Sequence, residues 1–293
     1  MKKNGLLIVN GFLQGNKYSE VYSFLTAAFE KYGCTLSVKK NSEFLQIVGN
    51  KPVIDSSEAD FVIFWDKDHN LCGMIEECGV RCFNPSVAIR DCDNKILSAL
   101  KFSRENVRTP ETIVAPKTFS NIGYTDLGFL KAAGERLGYP FVIKEAYGSF
   151  GKQVYLAEDE RGAEEIVNRI GGVEFLMQKF VKESRGRDIR VNVVGGKVVA
   201  SMKRVNENDF RSNITNGGTA YRTELTKEQE SAAIAALNAL SCDFGGVDIL
   251  LNDGDPMVLE VNSNMHFIST YKCTGINVAD SIAEYVVNEV YKR

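Results

Sequence analysis

Two carboxylates and an amide near the C-terminus have the spacing of a metal site on a β-hairpin. Residues 247–262 contain two apolar strands around a stretch rich in turn-forming residues, which predicts the hairpin. If Leu251 faces Met257, then Asp248 lies directly opposite Glu260 on the neighbouring strand. Directly opposed residues of an antiparallel pair have Cβ atoms about 4.5–5.5 Å apart, so the two carboxylates should face each other.

Asn262 shares the face of Glu260, because side chains alternate along a strand, and it adds a third oxygen donor. Adjacent carboxylates repel unless a cation lies between them, and two carboxylates with an amide suit Mg²⁺ that also carries phosphates and water. Asp248, Glu260 and Asn262 are therefore candidate magnesium ligands. The alternative is a solvated acidic edge that a nearby lysine or arginine neutralises.

A glycine-rich turn in the middle of the chain has the composition of a phosphate-binding loop. Residues 141–155 predict a strand, a turn that contains Gly148 and Gly151, and a second strand. Glycines allow positive φ and close backbone approach, so successive N–H groups can point at a phosphate while Lys144 supplies a positive charge. The same letters are equally compatible with an ordinary hairpin turn and a surface lysine.

A second hairpin, residues 188–204, turns at Gly195-Gly196 and carries an unusually polar face. Alternation along its first strand places three polar residues on that face, Asp188, Arg190 and Asn192. The face should meet either solvent, which is the commoner case, or a polar ligand.

A polar loop at residues 209–218 follows this hairpin. It contains Arg211 and Asn213 beside Gly217-Gly218, and such side chains suit a pocket for phosphate or carboxylate groups. A solvated loop explains the same composition.

The elements that must position these residues begin with a small parallel α/β unit. Residues 5–92 alternate short apolar runs with helical patterns. Loops at the carboxyl ends of strands hold ligands in such sheets, which marks residues 10–11 and 66–68. Asp68 is equally compatible with a helix N-cap.

The rest of the chain predicts an α+β arrangement with antiparallel strands. A helix over 93–104 precedes Thr109-Pro110, where a new unit should begin because proline disfavours helix in the residue before it. Beyond residue 206, the pattern predicts helices over 227–240 and 278–291 around the hairpin with the acidic pair.

Composition excludes several classes of protein. The 293 residues carry a net charge of −3, so no global field recruits nucleic acid, and no apolar run is long enough for a membrane helix. The first apolar run is too short for a signal peptide, and the seven cysteines lack paired spacing, which together favour a cytoplasmic protein with reduced thiols. With two histidines and no hydrolase motif, histidine-based catalysis is not expected.

Taken in order, these segments resemble the ATP-grasp superfamily, and within it the RimK-type and LysX-type amino-acid ligases. The resemblance covers about residues 91–291. It rests on eight segments: Asp93–Lys95, Val142–Lys144 with the glycine loop, Met177–Val181, Gly186–Arg190, Val193–Ala200, Phe210–Asn213 with Gly217-Gly218, Gly246–Leu250 and Leu259–Asn262.

The resemblance implies an α/β N-terminal domain (1–91) followed by an ATP-grasp fold, in which two α+β subdomains grip ATP between them. These are a central subdomain with the glycine flap (92–181) and a C-terminal subdomain with the metal site (182–293). It also implies ATP and two Mg²⁺ ions as cofactors, with Mn²⁺ as an alternative ion. Asp248, Glu260 and Asn262 would bind the metal, in agreement with the hairpin argument.

The resemblance assigns the remaining site residues as follows. Arg190, Arg204, Arg211 and Asn213 would surround the γ-phosphate and the carboxylate that is activated. ATP would be held by Lys95, Lys144, the flap residues Gly148, Ser149, Phe150 and Gly151, the adenine-side stretch Gln178, Lys179, Phe180 and Val181, and Asp188 near the ribose. Lys179 departs from the glutamate frequent in the family, and Ser263–Phe267 departs from the Ser-Pro-Gly of RimK itself.

The function implied is an ADP-forming ligase that joins a small-molecule carboxylate to an amino acid or other amine through an acyl phosphate. No side-chain nucleophile is required, because catalysis would consist of positioning and charge neutralisation. Two alternatives stay open: a ligase that modifies peptides or proteins, and a nucleotide-binding module without catalysis. Neither nucleic acid nor membrane is expected as a partner, and a homo-oligomer is compatible with the sequence.

Overall fold

A computed structural model describes residues 3–13, 15–49, 59–149, 151–252 and 254–292, and it contains three β-sheets flanked by helices. The first is a parallel sheet of order β2-β1-β3-β4, as expected from the alternating pattern. Its strands are β1 (Asn4–Val9), β2 (Thr35–Lys40), β3 (Phe61–Trp65) and β4 (Cys82–Phe83). Its helices are α1 (Asn16–Glu30), α2 (His69–Glu77) and α3 (Ser86–Asp93).

Two helices meet where the sequence predicted one over 93–104. The predicted helix, α4 (Lys95–Arg104), begins at Lys95, because the Asn94 side chain accepts hydrogen bonds from the N–H groups of Ile96 and Leu97 and caps it. Helix α3 was not predicted, since it is short and mixes buried with polar positions. After the junction at Asn94, the Lys95 N–H donates a hydrogen bond to Ala146 O, in the segment that precedes the glycine loop.

The second sheet is antiparallel, with order β5-β8-β6-β7. Its elements in chain order are β5 (Thr112–Val114), α5 (Gly128–Leu137), β6 (Phe141–Glu145), β7 (Val154–Ala157), α6 (Glu160–Ile170) and β8 (Phe175–Lys179). The glycine loop joins β6 to β7, as predicted.

The third sheet is also antiparallel and has the order β11-β10-β9-β12-β13. Its strands are β9 (Arg187–Val194), β10 (Lys197–Val205), β11 (Thr219–Arg222), β12 (Phe244–Leu250) and β13 (Met257–Asn262). Its helices are α7 (Lys227–Ala239), α8 (Ile268–Thr274) and α9 (Val278–Tyr291), of which α8, like strand β11, was not predicted. The boundary predicted after residue 91 falls inside α3, and the boundary predicted after residue 181 falls between β8 and β9; both stay predictions.

A β-bulge corrects the predicted register of the acidic hairpin. Leu250, not Leu251, lies opposite Met257, so the assumed pairing was wrong by one residue. The register shifts between Asp248 and Ile249, and this shift returns Asp248 to a position opposite Glu260. The cross-strand acidic pair is therefore present, for a reason that the sequence did not reveal.

Aromatic packing joins the first sheet to the third. Trp65, at the end of β3, stacks on Phe244 with a centroid distance of 5.6 Å and meets the edge of Phe267 at 5.9 Å. Helix α9 packs against α1 and contributes to the same buried cluster. No helix in the described ranges combines the length and the apolar character that a membrane crossing needs.

Asn84 connects the same two sheets through hydrogen bonds. Its side chain is fully buried, donates to Phe244 O and Ser263 O at 2.9 Å each, and accepts from the N–H groups of Asp243 (2.7 Å) and Phe244 (3.1 Å). An amide has two N–H donors and an oxygen with two lone pairs, so the hydrogen-bonding capacity of Asn84 is fully used.

We predict that Asn84→Ala lowers the free energy of unfolding by about 2–4 kcal/mol, since it leaves buried backbone groups of the third sheet without partners. Urea unfolding followed by the fluorescence of the single tryptophan measures the effect. Asn121→Ala, at an exposed turn position, is the control and should change stability by less than about 0.5 kcal/mol. Equal stability of the two variants would contradict the linking role of Asn84.

Candidate active site

A cleft of about 1100 Å³, open to solvent, lies between the second and third sheets. Its lining combines residues from the glycine loop, from the end of β8 and from the facing strands β9, β10, β12 and β13. The predicted site residues that line it are Lys95, Lys144, Gly148, Ser149, Gly151, Gln178, Lys179, Phe180, Val181, Asp188, Arg204, Arg211, Asn213, Asp248, Glu260 and Asn262. Arg190 does not line this cleft, and Phe150 lies outside the described residues.

A second cavity of about 1550 Å³, also open to solvent, adjoins the cleft between the first and third sheets. Arg190 lines this second cavity. Six residues line both spaces: Lys67, Ser149, Arg204, Asn213, Glu260 and Asn262. The two spaces therefore meet at a charged and polar boundary.

Lys144 and Lys95 give the cleft a buried cationic wall, so the alternative of a surface lysine is wrong for Lys144. Lys144 is 8% exposed, and its Nζ donates a hydrogen bond of 2.7 Å to Gln178 Oε1. Burial, together with the nearby charge of Lys95, lowers the pKa of Lys144 to about 8, although Glu260 and Asp248 oppose the change. Burial likewise lowers the pKa of Lys95, whose Nζ donates to Gly148 O at 3.4 Å.

The glycine loop is held from two sides. On one side, Arg211 Nη1 donates to Gly151 O at 2.5 Å. Gly151 has φ +71°, and a Cβ there would come within 2.8 Å of Asn213 Oδ1, so a side chain at this position would be both strained and crowded. On the other side, Lys67 Nζ donates to Ser149 Oγ at 2.9 Å.

The polar face of the β9–β10 hairpin is buried, so the solvent alternative is wrong, and the alternative of a polar ligand stays a prediction. Asp188, Arg190 and Asn192 are all less than 10% exposed. Arg204 donates to both oxygens of Asp188, and Ser212 Oγ donates to Asp188 Oδ2 at 2.5 Å. This face is covered because the residues on it pair with neighbouring strands and with the 209–218 loop.

Asp248 is the acidic partner of two arginines in this buried face. Arg190 donates to both oxygens of Asp248, and Arg204 Nη2 lies 2.9 Å from Asp248 Oδ2. Burial alone would raise the pKa of Asp248, but Arg190 and Arg204 outweigh burial and lower it to about 2. Gly246 allows this approach, because a Cβ there would come within 2.9 Å of Arg190 Nη1.

The three predicted metal ligands lie on one wall of the cleft with oxygens to spare. The alternative for the acidic pair was a solvated edge neutralised by a nearby lysine or arginine. Arginines do neutralise Asp248, but this residue is 1% exposed and therefore does not lie on a solvated edge. Glu260 makes no ion pair among the described residues; its Oε1 accepts from Asn262 Nδ2 at 3.2 Å. Glu260 Oε2 and Asn262 Oδ1 accept no hydrogen bond in that part of the chain, so the donor set fits Mg²⁺.

The far end of the cleft is less polar and carries the predicted adenine-side stretch. Gln178 is buried and Lys179 exposed, and the ring of Phe180 meets the ring of Phe210 edge-on at 6.3 Å. The aliphatic side chains that line the cleft are Val142, Val154, Val181, Leu250, Leu259 and Val261. A narrow space between aliphatic and aromatic side chains suits a flat heterocyclic base.

Lys67 is a site residue that the sequence did not single out. Its ammonium pairs with Asp93 and bonds the flap at Ser149, so it links the first sheet to both sides of the cleft. The available signal was its position directly after β3, in the 66–68 loop that was marked as a ligand-binding position.

In the same loop, Asp68 Oδ1 accepts from Leu71 N–H at 3.1 Å, which confirms the N-cap alternative.

Comparison with known proteins identifies the family of this chain. The RimK-like ATP-grasp domain matches residues 92–286. A probable alpha-L-glutamate ligase of Maridesulfovibrio salexigens is 40% identical over 214 residues, 72% of this chain and 68% of that protein. The human N-acetylaspartylglutamate synthase A is 35% identical over 226 residues, 76% of this chain but only 56% of that protein.

The fold extends this similarity beyond the matched domain. The crystal structure of a RimK domain protein ATP-grasp from Sphaerobacter thermophilus superimposes with a TM-score of 0.73 at 18% identity, covering 96% of this chain and 98% of that one. The predicted fold class, an α/β unit followed by an ATP-grasp fold, is thereby confirmed. The chain belongs to the RimK-like ATP-grasp family, an enzyme family of ATP-dependent carboxylate–amine ligases.

Proposed function

We propose that this enzyme joins a small-molecule carboxylate to an amine with formation of ADP and an acyl-phosphate intermediate. A carboxylate oxygen attacks the γ-phosphorus of ATP, ADP leaves, and the amine then displaces phosphate from the acyl carbon to give an amide. The observation that supports this reaction most strongly is the boundary between the two spaces. Arg204, Asn213, Glu260 and Asn262 line both, so a phosphate on one side can meet a carboxylate on the other.

The cationic wall supports a role in holding the triphosphate. Lys144 and Lys95 supply buried positive charge, and the flap residues Gly148, Ser149 and Gly151 offer backbone groups that can close over the phosphates. Such groups favour the transition state when they are already in position before charge develops, because no reorganisation is then required. Lys67, which lines both spaces, is placed to stabilise the flap in its closed position.

The three oxygen donors on β12 and β13 would hold Mg²⁺. When bound, the metal would neutralise phosphate charge and orient the γ-phosphate for in-line attack. Two ions, with Mn²⁺ as an alternative, are compatible with two carboxylates and an amide, since each ion would also take phosphate oxygens and water. Asp248 would join the set through lone pairs that its arginine contacts leave available.

Arginines would orient the substrates. Arg190, Arg204 and Arg211 approach the boundary from the third sheet and the 209–218 loop, and guanidinium groups bind carboxylates and phosphates in a bidentate manner. Arg190 and Arg204 are also held by aspartates, so their orientation is set before a substrate arrives. Preorganisation of this kind reduces the entropic cost of bringing the reactants together.

Free amino acids are the proposed substrate class, and peptides are the alternative. The relatives named above carry amino-acid ligase and synthase names, and the second cavity has room for a compound of amino-acid or dipeptide size beside the boundary. Activity on a polypeptide with none on free amino acids would support the peptide alternative. Carboxylate-dependent release of ADP, assayed with a panel of free amino acids and short peptides, tests the proposal.

We predict that Glu260→Gln lowers carboxylate-dependent ADP release by about 100-fold or more, because it removes one charge from the metal-binding set. The protein should keep its fold, as judged by an unchanged thermal midpoint. Glu207→Gln, a charge change at an exposed loop position, serves as the control. Normal ADP release by the Glu260 variant with both substrates present would contradict the proposed chemistry.

Lys144 should make stability depend on pH in the alkaline range. The pKa of Lys144 is about 8 in the folded protein and 10.5 in the unfolded chain, where the lysine has no interactions. Between these two pH values the unfolded chain therefore binds more protons than the folded protein. The unfolding free energy of the ligand-free wild type should therefore rise relative to Lys144→Met as pH increases from 8 to 10.5, by about 3 kcal/mol in total.

Parallel urea titrations of wild type and Lys144→Met between pH 7 and pH 10.5 measure this difference. Lys197→Met, at an exposed strand position, controls for the loss of one lysine and should follow the wild type. Lys144→Met should also bind ATP more weakly at pH 7, where the wild-type ammonium is charged. Wild-type and Lys144→Met curves that stay parallel would show that Lys144 titrates normally.

A further inference from the structure

The wall of the second cavity that comes from the first sheet combines one buried acid with aromatic rings. Asp66 and Trp65 stand at the carboxyl end of β3, and Tyr18 and Tyr22 come from α1. This wall faces the arginine-bearing strands of the third sheet across the cavity. The role proposed above for the cavity does not by itself explain why an acid should be buried in it.

Asp66 is buried without a cation of its own. It is 4% exposed, and no lysine, arginine or histidine whose side chain the structure describes makes an ion pair with it. The adjacent ammonium of Lys67 pairs with Asp93 and donates to Ser149 Oγ, and burial raises the pKa of Asp66 although the nearby charge of Lys67 opposes this change. An ionised carboxylate buried in this way is costly unless a positive charge accompanies it.

The hydrogen bonds of Asp66 are concentrated on one oxygen. Oδ1 accepts from the Lys67 N–H at 2.7 Å and from Asn10 Nδ2 at 3.1 Å, whereas Oδ2 receives only the longer contact of 3.3 Å from Asn10 Nδ2. A carboxylate can accept about four hydrogen bonds, so Oδ2 has capacity for a further donor. That donor has to come from the cavity that Asp66 lines.

The surrounding rings favour a cation over a neutral donor. Trp65 is held in place by Phe244 and Phe267, so its orientation does not depend on a ligand. Burial, with the nearby charge of Asp66, raises the pKa of Tyr22 to about 12, so its phenol stays neutral near pH 7. Aromatic faces attract ammonium groups, and the attraction increases when water is excluded.

The two arginines of the opposite wall do not supply this cation. Arg190 and Arg204 are each held by aspartates of the third sheet, Asp188 and Asp248. Their charges are therefore balanced locally, and the negative charge of Asp66 remains to be balanced by a ligand.

We propose that the second cavity binds the ammonium group of an amino-acid substrate, which pairs with Asp66 Oδ2 against the rings of Trp65 and Tyr22. This inference rests on the proposed function, because it assigns a chemical class to the substrate of the same site. The carboxylate of that substrate extends towards the boundary with the cleft. A compound with a carboxylate but no ammonium group loses the contact at Asp66.

A series of four six-carbon acids tests this assignment: lysine, norleucine, 6-aminohexanoate and hexanoate. They share chain length and carboxylate and differ only in the number and position of ammonium groups. Calorimetry in the presence of Mg²⁺ and a non-hydrolysable ATP analogue measures binding, and ADP release with ATP and an added amine measures turnover. The two readouts separate the failure of binding specificity from the failure of catalysis.

Asp66→Asn is the informative variant, because an amide oxygen can still accept both hydrogen bonds now made to Oδ1 while the charge is lost. Asp68→Asn is the matched control. It removes one charge two residues away, does not line the cavity, and keeps a side chain that caps helix α2 well.

The wild type and the Asp68 variant should bind at least one ammonium-bearing acid 10-fold or more tighter than hexanoate. In Asp66→Asn this preference should fall to about twofold or less, while hexanoate binding stays unchanged. Equal binding of all four acids by the wild type, a preference that survives in Asp66→Asn, or binding of none of them would overturn the inference. ADP release with none of them, together with the expected binding pattern, would count against the proposed ligation and leave the ammonium site standing.

Discussion

The active site depends on a buried row of four charges of alternating sign that crosses three neighbouring strands. Asp188 and Arg204 are opposite each other on β9 and β10, and Arg190 and Asp248 are opposite each other on β9 and β12. Burying any one of these groups alone would cost several kcal/mol, and removal of one partner leaves an uncompensated charge. The four are stable together because each carboxylate receives hydrogen bonds from an arginine. The row therefore behaves as a unit that keeps the polar face of the third sheet rigid.

This row also separates the two spaces of the site and gives each a different charge. On the side of the cleft, the lysines on β6 and α4 provide positive charge without an acidic partner on their own sheet, as binding of a triphosphate requires. On the side of the second cavity, Asp66 comes from the first sheet, Glu260 lies at the boundary, and Arg190 and Arg204 are neutralised by aspartates. Two reactants of different charge can thus approach the same boundary from opposite sides.

Each wall of the site belongs to a different sheet, so the contacts between sheets are as important as the side chains themselves. Asn84 and the stack of Trp65 on Phe244 hold the first sheet against the third. The second sheet is joined to the third through the flap, by Arg211 and Gly151, and to the first by Lys67 and Ser149. Among the described residues, these contacts of the flap are few and partly exposed, which is the pattern expected of a part that opens and closes over a ligand.

The amino-acid sequence alone predicted most of the strands, though not β4 or β11, and it predicted the hairpins and the order of the phosphate, arginine and carboxylate segments, because alternation, glycine turns and charge spacing act over a few residues. It also placed Asp248 opposite Glu260, although the bulge that produces this pairing depends on how β12 fits between β9 and β13. Burial, in contrast, depends on packing between distant segments of the chain. Whether Asp188, Arg190 and Lys144 meet water or protein depends on strands and loops distant in sequence, and the pKa of Lys144 follows from that burial. The roles of Asn84 and Lys67 were also not predictable, because their partners lie in other sheets or loops. The role of Asp66 depends on a cavity whose walls come from two sheets.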